Sequence, residues 1–129
     1  MSALVVDTSS WIAWLAGGGS PLITGALEEG RVHLPVVVAA ELLSGRLDAP
    51  ERTELQDLLS DLPAIGLDVE HWFRVGKLRS QLRALGVSVS TPDAHVAQCA
   101  LDADGDLLAE DRVFEKIAGV VPLRLAPVG

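Results

Sequence analysis

The sequence predicts an α/β fold of three layers, α/β/α, with a central, mainly parallel twisted sheet. Three observations predict it. Short strand-like runs alternate with segments of helical period along the whole chain, the pattern of a parallel sheet covered by helices. Helix start and stop residues punctuate these segments at regular intervals. The first apolar run, Leu4-Val5-Val6, ends in an acid, Asp7, as expected where a buried strand delivers a polar group to the open edge of a sheet.

The elements follow in order. Residues 3–6 read as a buried strand and 10–15 as a short helix. "AGGGSP" (16–21) is a flexible turn. It leaves a helix and lacks a following Gly-Lys-Ser/Thr, so it is not a phosphate loop. Residues 21–29 form a helix ended by Gly30, and 32–34 a strand stopped by Pro35. Residues 36–44 are helical with Gly45 as stop, and 51–59 form another helix. A short strand is expected at 64–67. Residues 69–85 form a long helix, with Val75, Leu78, Leu82 and Leu85 at helical spacing and Gly86 as its end. "STPDAHVAQCAL" opens a helix with Thr91 as N-cap and Pro92 at its first position. Strands at 106–109 and 121–125 flank a short helix at 112–117. Crossovers between parallel strands should be right-handed.

A chain of 129 residues is long enough for one continuous core, and residues 1–129 read as a single domain. With 49% apolar and 22% charged residues, disorder is not expected. No apolar run approaches the roughly 18–20 residues that a membrane span needs, so no membrane association is expected. The first residues lack the basic and long apolar regions of a signal peptide. Lone Cys99 cannot form an internal disulfide, in keeping with a reducing, cytoplasmic setting. The net charge of −8 argues against nucleic-acid binding through a general basic surface. It leaves room for a local basic rim, because fields depend on where charges sit.

Four acids stand in unusual places. Asp7 ends a strand, where an N-cap role is equally natural. Glu41 is the only polar residue of "PVVVAAELL" (35–43), and a carboxylate there needs water, a partner or a metal ion. Asp93 lies in the first turn of its helix, where the dipole favours an acid. It shares a face with Ala97 and Ala100, small residues that let the helix sit close to the sheet. Asp111 ends another strand and precedes a helix, with Glu110 beside it as a competitor for any role. Carboxylates gathered at one place repel each other unless a cation is present, and such oxygen-rich sets suit Mg²⁺ or Mn²⁺. His33, His71 and His95 show no ligand spacing. His95, nearly opposite Asp93 on its helix, reads as a surface or structural residue.

These segments resemble the PIN-domain family, and within it the VapC-type toxin ribonucleases of VapBC toxin–antitoxin pairs. "VVDTSSWIAWL" is similar to the family's opening strand, acid, hydroxyl pair and aromatic helix. "LPVVVAAELLSGR" resembles the helix that carries its glutamate. "TPDAHVAQCAL" resembles its Asp-Ala helix, and "DLLAEDRVFEKI" its last strand, acid and aromatic. The resemblance implies a PIN-like fold and a metal-dependent endoribonuclease that hydrolyses RNA phosphodiesters with metal-activated water. It assigns Asp7, Glu41, Asp93 and Asp111 as catalytic. Asp7, Asp93 and Asp111 would hold Mg²⁺, for which Mn²⁺ substitutes, with Glu41 bound directly or through water. Ser9 and Thr91 match supporting hydroxyls. Arg46, Arg112 and Lys116 are candidate RNA contacts, whereas Arg79 and Arg83 read as a solvated face. The resemblance also implies a homodimer and a VapB-type antitoxin partner. Trp11, Trp14 and Trp72 are candidate interface residues and equally good core residues.

The fourth segment departs from the family. Val113 stands where many relatives have a further acid, and Ala109-Glu110 replaces the usual Thr-Arg. That puts a second metal ion in question and keeps another reading open, a non-catalytic PIN-like module that binds a protein or RNA. Receiver and dehalogenase-type phosphatase folds fit less well, since each expects a second acid beside the first. A zinc site lacks ligand spacing.

Overall fold

The computed structural model describes residues 1–127. Five strands form one sheet in the order β3-β2-β1-β4-β5, and every neighbouring pair is parallel. The strands are β1 (Leu4–Val6), β2 (Val32–Pro35), β3 (Ala64–Ile65), β4 (Asp106–Leu108) and β5 (Arg124–Leu125). The flanking helices are α1 (Thr8–Leu15), α2 (Pro21–Glu28), α3 (Val36–Leu43), α4 (Ala49–Ser60), α5 (Val69–Ala84), α6 (Thr91–Asp102) and α7 (Val113–Ala118). The predicted α/β/α fold with its parallel sheet is the fold observed.

The topology has a direct consequence. The chain adds β2 and then β3 on one side of β1, and β4 and then β5 on the other. Strand order therefore reverses between β1 and β4. Beyond the carboxyl ends of these two strands the following segments diverge and leave a crevice. Asp7 lies at the end of β1, and its N–H donates to the Leu108 carbonyl of β4 at 3.1 Å, closing the pair at the crevice.

The core is built on β1, whose three residues are all buried, and on α6. Residues 94–100 of α6 are buried without a break. Ala94, Ala97, Cys99 and Ala100 keep that helix slim enough to lie against the sheet while α5 covers it from outside. α5 contributes the ordinary amphipathic stripe, with Val75, Leu78 and Leu82 buried. Each such side chain, fully buried, stabilises the fold by about 1.5–3 kcal/mol. Leu85, read as the end of that stripe, is instead the C-cap of α5 and largely exposed. Trp11 is core at 0% exposure, and Trp14 and Trp72 are half-buried.

Boundaries differ from expectation where local chemistry outweighs period. α4 begins at Ala49, two residues before the expected start. Asp48 and Glu51 form a reciprocal capping box, with Glu51 N–H on Asp48 at 2.8 Å and Asp48 N–H on Glu51 at 3.1 Å. α6 is capped by Ser90, not Thr91: Ser90 Oγ accepts from Asp93 N–H at 3.2 Å, which puts Thr91 and Pro92 inside the first turn. α7 begins at Val113, because Asp111 takes the Val113 N–H at 3.0 Å and holds residue 112 in the preceding turn. Pro35 does not stop β2. It pairs with Ile65 and passes directly into α3. β3 stops short because Gly66 turns the chain at φ 111°, a conformation few side chains tolerate. β5 is shortened to two residues after Pro122, which has no N–H for a ladder.

Gly105 sets the β1–β4 register. A Cβ there would stand 2.6 Å from the Ala3 carbonyl oxygen, inside any tolerable contact. Gly105→Ala is expected to destabilise the protein by about 1–3 kcal/mol, the usual cost of overpacking against backbone. Thermal denaturation of the two proteins measures it.

Candidate active site

Each acid reaches the crevice by a different route. Asp7 is buried at 7% exposure. Its carboxylate caps α1, accepting the Ser10 N–H at 3.0 Å. Ser9 Oγ lies 3.1 and 3.2 Å from the two carboxylate oxygens and donates to them. The polar residues after β1 thus hold Asp7 in one orientation and offset part of the cost of burying its charge. Glu41 is carried on α3, one turn beyond the buried Val38, and is exposed toward the site. Thr8 Oγ1 donates to Glu41 Oε1 at 2.6 Å, so the residue after Asp7 ties α1 to α3. Sequence reasoning does not reach Thr8, although it stands in the same hydroxyl run as Ser9.

Asp93 sits half-buried in the first turn of α6 and Asp111 is exposed beyond β4. The Asp93 carboxyl is pushed above its ordinary value of 3.8, mainly by burial. The charges of Asp111, Asp7 and Glu41 push the same way, against the hydrogen bond with Ser90. Asp7, Glu41 and Asp111 are therefore all close enough to act on Asp93. No described Lys or Arg forms an ion pair with any of them. Beside Asp111 the surface falls into a cleft of about 500 Å³, lined by Ala109, Glu110, Glu115, Leu125 and Ala126.

The other predicted residues are placed as follows. Ser9 supports Asp7 as expected. Thr91 is exposed in the first turn of α6, with no hydrogen bond to Asp93 among the described contacts. Arg46, Arg112 and Lys116 are exposed and free of ion pairs among the described residues. Arg79 is not simply solvated: its Nε donates to the Val89 carbonyl at 2.8 Å and pins the loop before α6.

Of the two readings of His95, surface or structural, the second is the one observed, and His71 shares its place. His95 is not a surface residue; it and His71 are 0% exposed. His71 Nε2 and His95 Nδ1 are 2.7 Å apart, and Cys99 Sγ is 3.7 Å from His95 Nδ1. Residues 24 and 28 positions apart in the chain meet here because α5 packs along α6, which no local spacing reveals.

An open parallel sheet with carboxylates gathered at its switch point defines a class of acidic-site α/β proteins, and the comparisons with known proteins narrow it. The PIN domain family model matches residues 4–120, and the chain belongs to that family. It is similar to the ribonuclease VapC11 of Mycobacterium tuberculosis and to VapC ribonuclease Mb1587 of Mycobacterium bovis. Each is 28% identical over 95% of this chain and 97% of its own. Among solved structures, it shares its fold with a chain of DNA-bound VapBC from Salmonella typhimurium, at TM-score 0.77 and 22% identity over 98% of both chains. It shares it also with a chain of VapBC2 from Rickettsia felis, at TM-score 0.73 and 19% identity over 98% of this chain and 99% of that one.

Burial of Asp93, with the neighbouring acids adding to it, has a measurable sign. Because the folded state raises the Asp93 pKa, ionised Asp93 opposes folding at neutral pH, and the opposition vanishes once the carboxyl is protonated in both states, below about 3.8. In the presence of a chelator, Asp93→Asn is expected to melt higher than the parent at pH 7. The difference should close as the pH falls toward 3.8. Scanning calorimetry across that range tests both statements.

Proposed function

We propose that the chain is a metal-dependent endoribonuclease, the toxin of a VapBC-type toxin–antitoxin pair, folded as a single PIN domain over residues 1–129. The observation that carries this reading is the carboxylate set itself. Acids from four separate segments act at Asp93 or belong to it: Asp7 is buried, Asp93 is pushed above its ordinary pKa with the other three contributing, and none of the four is in an ion pair among the described residues. Such an arrangement costs stability and is retained where a positive charge is to be held.

The donor chemistry fits Mg²⁺ or Mn²⁺: hard carboxylate oxygens, with no imidazole or thiolate among them. Asp7, Asp93 and Asp111 would hold the ion, and Glu41 would do so directly or through water. The ion, when bound, supplies Lewis acidity that activates water and neutralises charge developing on the phosphoryl oxygens. The protein's own residues do the rest. Ser9 and the Ser10 N–H orient Asp7, and Thr8 orients Glu41. Arg112 and Lys116, flanking Asp111, and Arg46, after α3, would meet RNA phosphates at the rim, giving an otherwise acidic protein a local hold on its substrate.

The kinship to VapC ribonucleases and the shared fold with VapBC chains support a VapB-type antitoxin as partner, with a homodimer and a cytoplasmic setting as further parts of the proposal. Among the described residues no helix is long and apolar enough to cross a membrane. Ile12 and Leu15 on α1 and Leu22 on α2 are exposed apolar residues that an antitoxin segment would cover.

The test is cleavage of RNA by purified, partner-free protein with and without Mg²⁺. Asp7→Asn is expected to lower cleavage at least about a hundredfold, the scale of losing a principal electrostatic element of a site. Asn caps helices as well as Asp does, so the variant should keep its fold and melting temperature. A variant that cleaves as fast as the parent removes Asp7 from the mechanism. A parent protein that binds RNA and never cleaves it supports the non-catalytic module instead.

A further inference from the structure

A second polar cluster lies below the carboxylates, and the proposed reaction makes no use of it. Asp102 Oδ2 is 2.7 Å from His71 Nδ1, His71 Nε2 is 2.7 Å from His95 Nδ1, and His95 Nε2 is 3.4 Å from the N–H of Val37. The two ends of this chain determine its protons. A carboxylate only accepts, so His71 carries its proton on Nδ1. A backbone N–H only donates, so His95 Nε2 is bare and His95 Nδ1 carries the proton toward His71 Nε2. One arrangement of two neutral imidazoles satisfies every group.

The same side chains, with Cys99 Sγ 3.7 Å from His95 Nδ1 and 3.9 Å from His71 Nε2, outline a His₂Cys triangle. The nitrogen spacing decides against a metal there. Two imidazole nitrogens on one tetrahedral zinc, each about 2.0–2.1 Å from it, stand roughly 3.3 Å apart. At 2.7 Å they share a proton.

What the chain of bonds reaches is the first turn of α3. That helix starts at Pro35, which offers no side-chain cap, so its leading N–H groups need partners from elsewhere. His95 supplies one from a different helix. Its ring is clamped in place. Trp72 stacks on it at 4.5 Å and 8°, and Trp72 Nε1–H donates to the Gly66 carbonyl at 2.9 Å. Gly66 packs so closely that a Cβ would stand 2.8 Å from both His95 Cε1 and Val36 Cγ2. Val37 is one helical turn before Glu41, and His95 is two residues after Asp93. The bond therefore joins, near their N-terminal ends, the two helices that carry Glu41 and Asp93.

We propose that His95, held by His71 and Asp102, is a positioning residue: its Nε2 caps α3 from α6 and thereby sets where Glu41 stands relative to Asp93. The proposal rests on the metal-site reading for its consequence and on local geometry for its substance.

The experiment separates the two. Ring ¹⁵N chemical shifts of the native protein should show His95 protonated on Nδ1 and bare at Nε2; the opposite tautomer overturns the proposal without any variant. His95→Phe keeps the ring volume and removes the acceptor. His95→Gln places an amide oxygen where Nε2 was. Amide exchange at Val37 is expected to quicken about tenfold in the Phe variant, with Val5 in β1 as an unaffected control, and to recover in the Gln variant, in keeping with loss and return of one hydrogen bond. Mn²⁺ affinity by calorimetry should follow, falling about tenfold in Phe and returning to within about threefold in Gln, if one bond's worth of order reaches the site. Unchanged Val37 exchange in the Phe variant, or equal impairment of Phe and Gln, sinks the cap. So does a thiolate-to-metal absorption band on adding Co²⁺ that Cys99→Ser abolishes. Were the native protein to bind no Mn²⁺, the metal-site reading would fall, and the exchange data would still decide the cap.

Discussion

The Asp7 carboxylate ends one element and starts the next. β1 is the central, fully buried strand, and its last N–H, on Asp7, belongs to the sheet through Leu108. The side chain of the same residue belongs to α1, whose Ser10 N–H it accepts. The sheet fixes where the carboxylate is, and the helix fixes which way it turns. Thr8 and Ser9 follow at once, so the hydroxyls that reach Glu41 and Asp7 inherit their positions from the same turn. Strand, cap and site cannot be separated here, because a single residue at the sheet's switch point serves all three.

That economy has a cost in repulsion. Asp93 is brought to the same place by a helix that is buried along most of its length, and its carboxyl is raised by burial and by three neighbouring acids. The apolar packing of α6 against β1 must therefore exceed what the acids oppose. The slim residues 94, 97 and 100 make this possible: with larger side chains, α6 would stand off the sheet and Asp93 with it. Burial on the scale of several core side chains, at about 1.5–3 kcal/mol each, is ample to hold one unfavourably placed carboxyl.

How much of this was readable in the sequence follows from the range of the forces involved. The alternation of strands and helices was visible because it is written in local period, and β1, β2 and β4 came out within a residue. The four acids were visible because they end a strand, interrupt an apolar helix or open one, and the structure places Asp7, Glu41 and Asp111 near enough to Asp93 to raise its pKa. What escaped was chemistry between segments or one residue off register. Ser90 took the cap from Thr91 because an oxygen at 90, not 91, reaches the Asp93 N–H. Thr8 was passed over because its partner lies 33 residues away on α3. His71 and His95 carry no shared motif, and only the packing of α5 on α6 makes them neighbours.

The buried imidazoles sharpen a general point about how such a site is held. α3 enters the site straight from β2 with no loop and no cap of its own, an arrangement that leaves its first turn poorly anchored. Apolar contact from Val38 and Leu42 restrains the helix in the direction of the core but tolerates sliding along its axis. A hydrogen bond from a clamped ring does not tolerate sliding, since its strength falls steeply with distance and angle. At 3.4 Å the Val37–His95 bond is long and individually weak. Its value lies in the rigid partners behind it: the bidentate Arg74 pair and Gln98 on Asp102, and Trp72 on the ring. With burial opposing, these hydrogen bonds hold the Asp102 carboxyl below its ordinary value, so the outer end of the network stays charged and accepting at neutral pH. A polar network of this kind, complete from surface carboxylate to helix N-terminus, restrains the one helix of the site that its own sequence leaves uncapped.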